Sequence, residues 1–285
     1  MRDIENLVFK GGGVLGTAYA GAIEALDEYG LLNKVLRVGG TSSGSITAAL
    51  VALRFTSSEI KQITHAIPFK DFGDQWDPLR ILTKYGLYKG DAFMAWMKNI
   101  INEKTGIPGI TFAQWAESGF LELKVFATDL NTASIKEFSS QTTPDVVVAE
   151  SIRASMAVPF FFSAWKFPGG KPDDHVYVDG GAVYSYPITC FNDLPKTLGF
   201  FLYEDAPTVS DLGFDDILKY SHALFTAMTN AQDEDFGRDK EEEAVTVRIN
   251  GLGISSLDLK ITDEERMRLF VEGKRATINY LAAQH

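Results

Sequence analysis

A single cysteine, Cys190, stands among 285 residues, so the chain can form no internal disulfide and has no thiolate cluster for a structural metal. That suits a reducing compartment; the expected location is cytoplasmic, with Cys190 a small buried apolar residue. Positive charge is also scarce. The 27 Lys and Arg are outnumbered by 38 Asp and Glu, and a net charge of −11 would repel phosphate backbones, which argues against a nucleic-acid partner. Long apolar runs are missing: residues 146–149 and 157–162 fall far short of the roughly 18 a spanning helix needs, so membrane contact would be peripheral. The charged start Met1-Arg2-Asp3-Ile4-Glu5 runs directly into a strand-like segment, so no signal peptide is expected. No fixed-period repeat or low-complexity tract is visible, and the acidic patch at 233–243 reads as solvated surface.

Apolar material, by contrast, is ample. With 45% hydrophobic residues and no break in composition, one domain over residues 1–285 is expected. Residues 7–9 read as a short buried strand, broken by Gly11-Gly12-Gly13 before an apolar-periodic helix. Residues 35–38 read as a second strand, followed by Gly39-Gly40-Thr41-Ser42-Ser43-Gly44 and an Ala-rich helix. Two β-turn-α units in succession predict parallel strands, hence an α/β fold of three layers, α/β/α, around a mostly parallel central sheet. Residues 68–90 look irregular, with short helical turns at most, and Asp91 could cap the helix after them. Further strands are expected at 121–127, 135–138, 175–178, 198–203 and 244–249. Helices are expected at 144–155, about 214–235 and about 262–283, the last with Thr262 and Glu265 at capping-box spacing.

Gly40-Thr41-Ser42-Ser43-Gly44 fits Gly-x-Ser-x-Gly between a strand and a helix. Such a turn holds a serine hydroxyl above the sheet edge, beside the free N–H groups of a helix start; a plain tight turn is the other reading. Serine needs a base to attack. Of the four histidines, His65, His175, His222 and His285, none lies in a loop resembling a catalytic one, and His175 remains the only rival base. Asp179, at a strand end before Gly180-Gly181, is the carboxylate best placed to do that work, although Asp-Gly-Gly is also ordinary turn chemistry. Lys10-Gly11-Gly12-Gly13 offers backbone amides for an oxyanion. Gly11-x-Gly13-x-x-Gly16 also fits a dinucleotide fingerprint, but the acidic residue expected near the second strand is absent, the positions being Leu36, Arg37 and Val38.

Three ordered segments resemble the patatin-like phospholipase family: Gly11-Gly12-Gly13-Val14-Leu15-Gly16, Gly40-Thr41-Ser42-Ser43-Gly44 and Asp179-Gly180-Gly181. Residues 153–162, Arg-Ala-Ser-Met-Ala-Val-Pro-Phe-Phe-Phe, are similar to a fourth family stretch, and residues 126–131 look like bacterial members. The resemblance covers about residues 5–190, with 198–285 expected to complete the same domain. It implies a patatin-like fold and a catalytic Ser42-Asp179 dyad forming an acyl-enzyme, with amides of Gly11, Gly12 and Gly13 as the oxyanion hole. Substrates would be glycerophospholipids or other fatty-acyl esters at a membrane surface, without metal or organic cofactor. Phe160, Phe161 and Phe162 are the expected lining of an acyl pocket, with Trp76, Phe93, Met94, Trp96, Met97, Trp165 and Phe167 as further candidates for a pocket wall, a lipid contact or core. Residues 68–90 would form a cover. Many relatives carry a basic residue where Leu15 stands, and Lys10 is expected to supply that charge. Acyl transfer to another acceptor, or lipid binding without catalysis, are the competing functions.

Overall fold

The computed structural model describes residues 3–74, 77, 79–168, 172–204 and 217–284. Its strands are β1 (Asn6–Phe9), β2 (Arg37–Thr41), β3 (Gly86–Tyr88), β4 (Glu122–Asp129), β5 (Ser134–Phe138), β6 (Phe160–Phe162), β7 (Tyr177–Asp179), β8 (Thr197–Tyr203) and β9 (Thr246–Asn250). The helices are α1 (Ala18–Glu28), α2 (Ser43–Ala52), α3 (Ser57–His65), α4 (Phe69–Phe72), α5 (Arg80–Lys84), α6 (Asp91–Thr105), α7 (Phe112–Glu117), α8 (Val148–Ser155), α9 (Ile217–Phe236), α10 (Lys240–Ala244) and α11 (Asp263–Ala283).

The main sheet runs β5-β4-β2-β1-β8-β9, parallel from β4 to β9, with β5 and β7 antiparallel to β4. A parallel sheet needs both faces covered, and side-chain alternation along its strands meets that need. Leu7, Phe9, Leu198 and Phe200 join the large core with Ile23, Ala49 and Leu269 of the helices, whereas Val8 and Phe201 meet Tyr186, Ile188, Phe191 and Phe236. Each such large side chain contributes about 1.5–3 kcal/mol by leaving water. Helices lie on both sides, and the last is locked to the first through backbone contact. A Cβ on Gly21 would stand 1.9 Å from Phe270 O, and one on Gly273 1.9 Å from Ala18 O, so α1 and α11 approach at a distance only glycine allows.

Several boundaries differ from expectation for local reasons. β2 begins at Arg37 and continues through Gly39 and Gly40, which pair with Val8 and Phe9. Glycine is tolerated inside that strand because the space above it is taken: a Cβ on Gly39 would meet Cys190 Sγ at 2.9 Å. α8 starts at Val148 because Val147 forms a bridge with Thr111. Gly90, at φ 79°, occupies the cap position expected for Asp91, and the cap is supplied from a distance by Asp74, whose carboxylate accepts the N–H groups of Gly90 and Ala92. The irregular excursion holds α4, α5 and β3, and β3 pairs with β6 as a small separate sheet. The acidic patch is not wholly solvated, since Asp233 is half-buried and paired with Lys10. Trp76, the expected helix start near 214 and His285 lie outside the described residues.

One feature of β4 positions the site. β5 pairs with residues 125–129 of β4, β2 with 122–126 and β7 with 127–129, so β2 and β7 must follow one another along the edge that β5 leaves open. Thr41 is paired with Phe126 and Asp179 with Ala127. Residues distant in sequence therefore sit on consecutive steps of one strand.

Candidate active site

Ser42 lies between the end of β2 and the first turn of α2 with φ 53° and ψ −128°. A non-glycine residue held there costs about 1–3 kcal/mol and persists only where its surroundings enforce it. Here they do. Ser42 N–H donates to Ser155 Oγ (2.8 Å), and Ser42 O accepts from Ser45 N–H (2.8 Å) and Ser45 Oγ (2.6 Å). Ser155 Oγ in turn donates to Phe126 O at 2.5 Å, tying α8, β4 and the elbow together. The two flanking glycines are sterically required: a Cβ on Gly40 would lie 2.3 Å from Gly44 O, and one on Gly44 2.3 Å from Phe9 O.

Ser42 Oγ donates to Asp179 Oδ2 at 2.7 Å. The other carboxylate oxygen accepts Gly181 N–H at 2.7 Å, while Asp179 O accepts Thr128 Oγ1 and Asp179 N–H donates to Ala157 O. Gly180 follows under Phe126 O, where a Cβ would approach to 2.5 Å, so the Asp-Gly-Gly turn is also a packing requirement. Burial pushes the Asp179 carboxyl up to about 7, against the lowering effect of the Ser42 and Gly181 hydrogen bonds. A carboxylate poised near neutrality, within reach of an alcohol, has the geometry and the basicity to take its proton. His175 is engaged elsewhere: its Nδ1 lies 2.6 Å from Asp129 Oδ2, and it does not line the cavity above Ser42. Burial raises the Asp129 carboxyl, but hydrogen bonds from His175, Asn131 N–H and Thr132 N–H outweigh it and leave Asp129 low.

The glycine loop passes directly beside the serine, with a Cβ on Gly11 only 3.2 Å from Ser42 Cβ. Its amides are not equivalent. Gly11 N–H donates to Ser185 O (3.0 Å), which removes it from the expected donor set; Gly12 and Gly13 N–H make no hydrogen bond among the described residues. Gly13, at φ 55°, has Ser256 O where a Cβ would go. Lys10 turns away from the expected role beside an oxyanion: its ammonium donates to Asp233 Oδ2 (2.9 Å) and Leu202 O (3.1 Å) and rests over the Phe201 ring.

Ser42 and Asp179 line a cavity that is continuous with solvent. The glycine loop lines it beside the serine, together with an apolar wall of Ile46, Leu50, Ile67, Phe69, Phe161 and Phe162. Phe161 and Phe162 are among its lining residues, whereas Phe160 is not. Phe160 sits at the start of β6 with φ 63°, its N–H donated to Tyr85 O, and the backbone turn there separates it from the two rings that follow. Phe93, Met94, Trp96, Met97, Trp165 and Phe167 pack in or against the core away from the cavity. Phe69 and Phe72, from the stretch expected to be a cover, belong to the wall.

Positions without a role in the sequence motifs also bear on the site. Ser155 supports the elbow, Ser185 anchors Gly11, and α9 contributes Phe225, Thr229 and Asp233 to the cavity. Ser155 could have been found, since it lies in the Arg-Ala-Ser stretch. The α9 residues carried no local signal.

Fold and site together describe a three-layer α/β protein with a serine elbow facing a buried aspartate. The chain belongs to the patatin-like phospholipase family, whose model, described as Patatin-like phospholipase, matches residues 7–191. YqhO, an uncharacterized protein of Bacillus subtilis, is 30% identical over 291 residues, covering 96% of this chain and 97% of its own. An uncharacterized protein of Acanthamoeba polyphaga mimivirus is 32% identical over 201 residues; the match covers 69% of this chain and 65% of the viral protein. The crystal structure of VipD from Legionella pneumophila shares the fold, with a TM-score of 0.75 at 16% identity over 99% of this chain and 67% of VipD.

Proposed function

We propose that the chain is a lipid acyl hydrolase of the phospholipase A or lysophospholipase type, working through an acyl-enzyme on Ser42. The observation that carries this reading is the 2.7 Å hydrogen bond from Ser42 to a buried Asp179 at the base of an apolar cavity. Asp179 accepts the hydroxyl proton as Ser42 Oγ bonds to the ester carbonyl carbon, then passes that proton to the departing alcohol as the ester C–O bond breaks. The same carboxylate next deprotonates water as it attacks the acyl-serine, then returns that proton to Ser42 Oγ as the acyl C–O bond breaks and the fatty acid leaves. Gly12 and Gly13 amides stabilise the negative oxygen in both steps, worth about 3–4 kcal/mol per donor by analogy with other acyl-transfer sites. The acyl chain occupies the wall formed by Ile46, Leu50, Ile67, Phe69, Phe161 and Phe162. The scheme uses side chains, amides and water alone.

Membrane contact in this reading is peripheral; no helix among the described residues is long and apolar enough to cross a bilayer. Leu79, Leu82 and Tyr85, at 70%, 78% and 59% exposure in and around α5, offer the apolar contact, and Tyr85 O joins this segment to β6 of the cavity wall. The test is hydrolysis of a phospholipid and lysophospholipid panel by the wild type, Ser42→Ala and Asp179→Asn, with circular dichroism to verify folding. Both variants should lose roughly a thousandfold or more in kcat. Full activity in either folded variant would overturn the dyad.

A further inference from the structure

Three pieces of backbone must hold still for this site to work: the turn after Asp179, the elbow at Thr41-Ser42 and the glycine loop at Gly11. All three bind to one short segment, residues 181–185. At its start, Gly181 N–H donates to Asp179 Oδ1 at 2.7 Å. Near its end, the peptide joining Tyr184 to Ser185 accepts Thr41 Oγ1 on its oxygen at 3.1 Å, and Ser185 O accepts Gly11 N–H at 3.0 Å. This segment is not part of the sheet; Val183 N–H and Tyr184 N–H donate back to Gly180 O, and one side chain of α9 ties its two ends together. Gln232 Nε2 donates to Gly181 O (2.9 Å), and Gln232 Oε1 accepts Ser185 N–H (2.7 Å).

Building on the proposed dyad, we infer that Gln232 is a positioning residue for the reaction, a carboxamide clamp that sets the spacing between the base, the nucleophile and the glycine loop. The assignment follows from hydrogen-bond inventory. An amide side chain presents a donor and an acceptor at the same branch point without needing a proton from solvent, and here one faces a carbonyl while the other faces an N–H. Its Nε2 also donates to Met228 O one turn back at 3.1 Å, which fixes the side-chain direction. The neighbouring Asp233 is bound to Lys10, so α9 is docked on the site at two consecutive residues. A carboxylate at 232 could still accept from Ser185 but would set oxygen against the Gly181 carbonyl. An aliphatic side chain would satisfy neither group and leave two polar backbone atoms unpaired.

The clamp touches no substrate, so its loss should appear in turnover rather than in substrate binding. A displacement on the order of 1 Å between reacting groups can cost a hundredfold. The experiment measures kcat and KM on a soluble p-nitrophenyl ester for Gln232→Leu and Gln232→Glu, with Ser42→Ala in parallel and thermal melting of each. Both Gln232 variants should lose roughly ten- to a hundredfold in kcat, with KM within about threefold of wild type. Wild-type kcat in Gln232→Glu would overturn the inference, because that near-isosteric variant replaces the Nε2 donor to Gly181 O and Met228 O with an acceptor while keeping the acceptor for Ser185 N–H. A rise in KM with kcat unchanged would overturn it too, by placing residue 232 in substrate binding. If Ser42→Ala stays active, the dyad itself fails; if Ser42→Ala is dead and Gln232→Leu is unaffected, only the clamp fails.

Discussion

Asp179 uses its two carboxylate oxygens for different partners, Ser42 Oγ on one and Gly181 N–H on the other, each at 2.7 Å. Because burial raises this carboxyl to about 7, it is partly protonated at neutral pH. Only the ionised form can take the serine proton, so kcat/KM on a soluble ester should rise with pH through about 7 and level off above it. A stopped assay across about pH 5 to 9 reads the limb directly; a flat profile there would remove Asp179 as the titrating base.

The same burial makes the ionised carboxylate a cost to the fold. A carboxyl whose folded pKa lies above its unfolded value binds more protons when native, so its contribution falls as pH rises from about 4 towards 7. Asp179→Asn, inactive in the proposed scheme, should therefore be more stable than wild type at about pH 8 by about 1–3 kcal/mol, with the gain fading below about pH 4. Urea unfolding at the two pH values provides the comparison. A variant less stable at the higher pH would show that the carboxylate is well solvated after all.

Lys10 reads from sequence as a charge for the oxyanion, which would make Lys10→Met a kinetic lesion. In the structure its ammonium belongs to Asp233, whose carboxyl burial raises while Lys10 lowers it. Lys10→Met should accordingly act on stability, by about 1–3 kcal/mol for leaving a half-buried carboxylate unpaired. Lys10→Met with Asp233→Leu should recover most of that loss, since both charges are then gone. Calorimetric melting of the single and double variants tests this; a single variant that melts like wild type but turns over slowly would return Lys10 to the oxyanion.

Leu82 is the most exposed of the three apolar residues around α5. Leu82→Asp should lower hydrolysis of phospholipid vesicles several-fold while leaving a soluble short-chain ester unaffected, because only the vesicle assay needs the surface contact. Equal rates on vesicles would show that this segment does not face lipid.

How far the sequence speaks depends on the range of the interaction. Gly40, Ser42 and Gly44 can be read directly, because a sharp strand-to-helix turn needs small residues within a few positions, and the structure supplies the contacts that enforce them. Asp179 can be read as a candidate, since a carboxylate at a strand end before two glycines is a local pattern. The unequal amides of the glycine loop cannot. Three adjacent glycines look alike, and only the distant carbonyl of Ser185 commits Gly11. Phe160 to Phe162 likewise look alike until a backbone turn at φ 63° separates the first from the others.

What the sequence by itself determined is the set of local conformations: the αβ alternation, the elbow around Ser42, the glycine-rich turns and the acidic, disulfide-free character of the chain. Each follows from residue types within a few positions of one another. The tertiary structure alone decided which of these meet. Ser42 finds Asp179 because β2 and β7 occupy consecutive steps on the same edge of β4, and Gln232 reaches Gly181 from α9 across 51 residues. Such convergence arises from strand pairing and burial of the whole chain, whose energies are shared among many residues and leave no signature at any one of them.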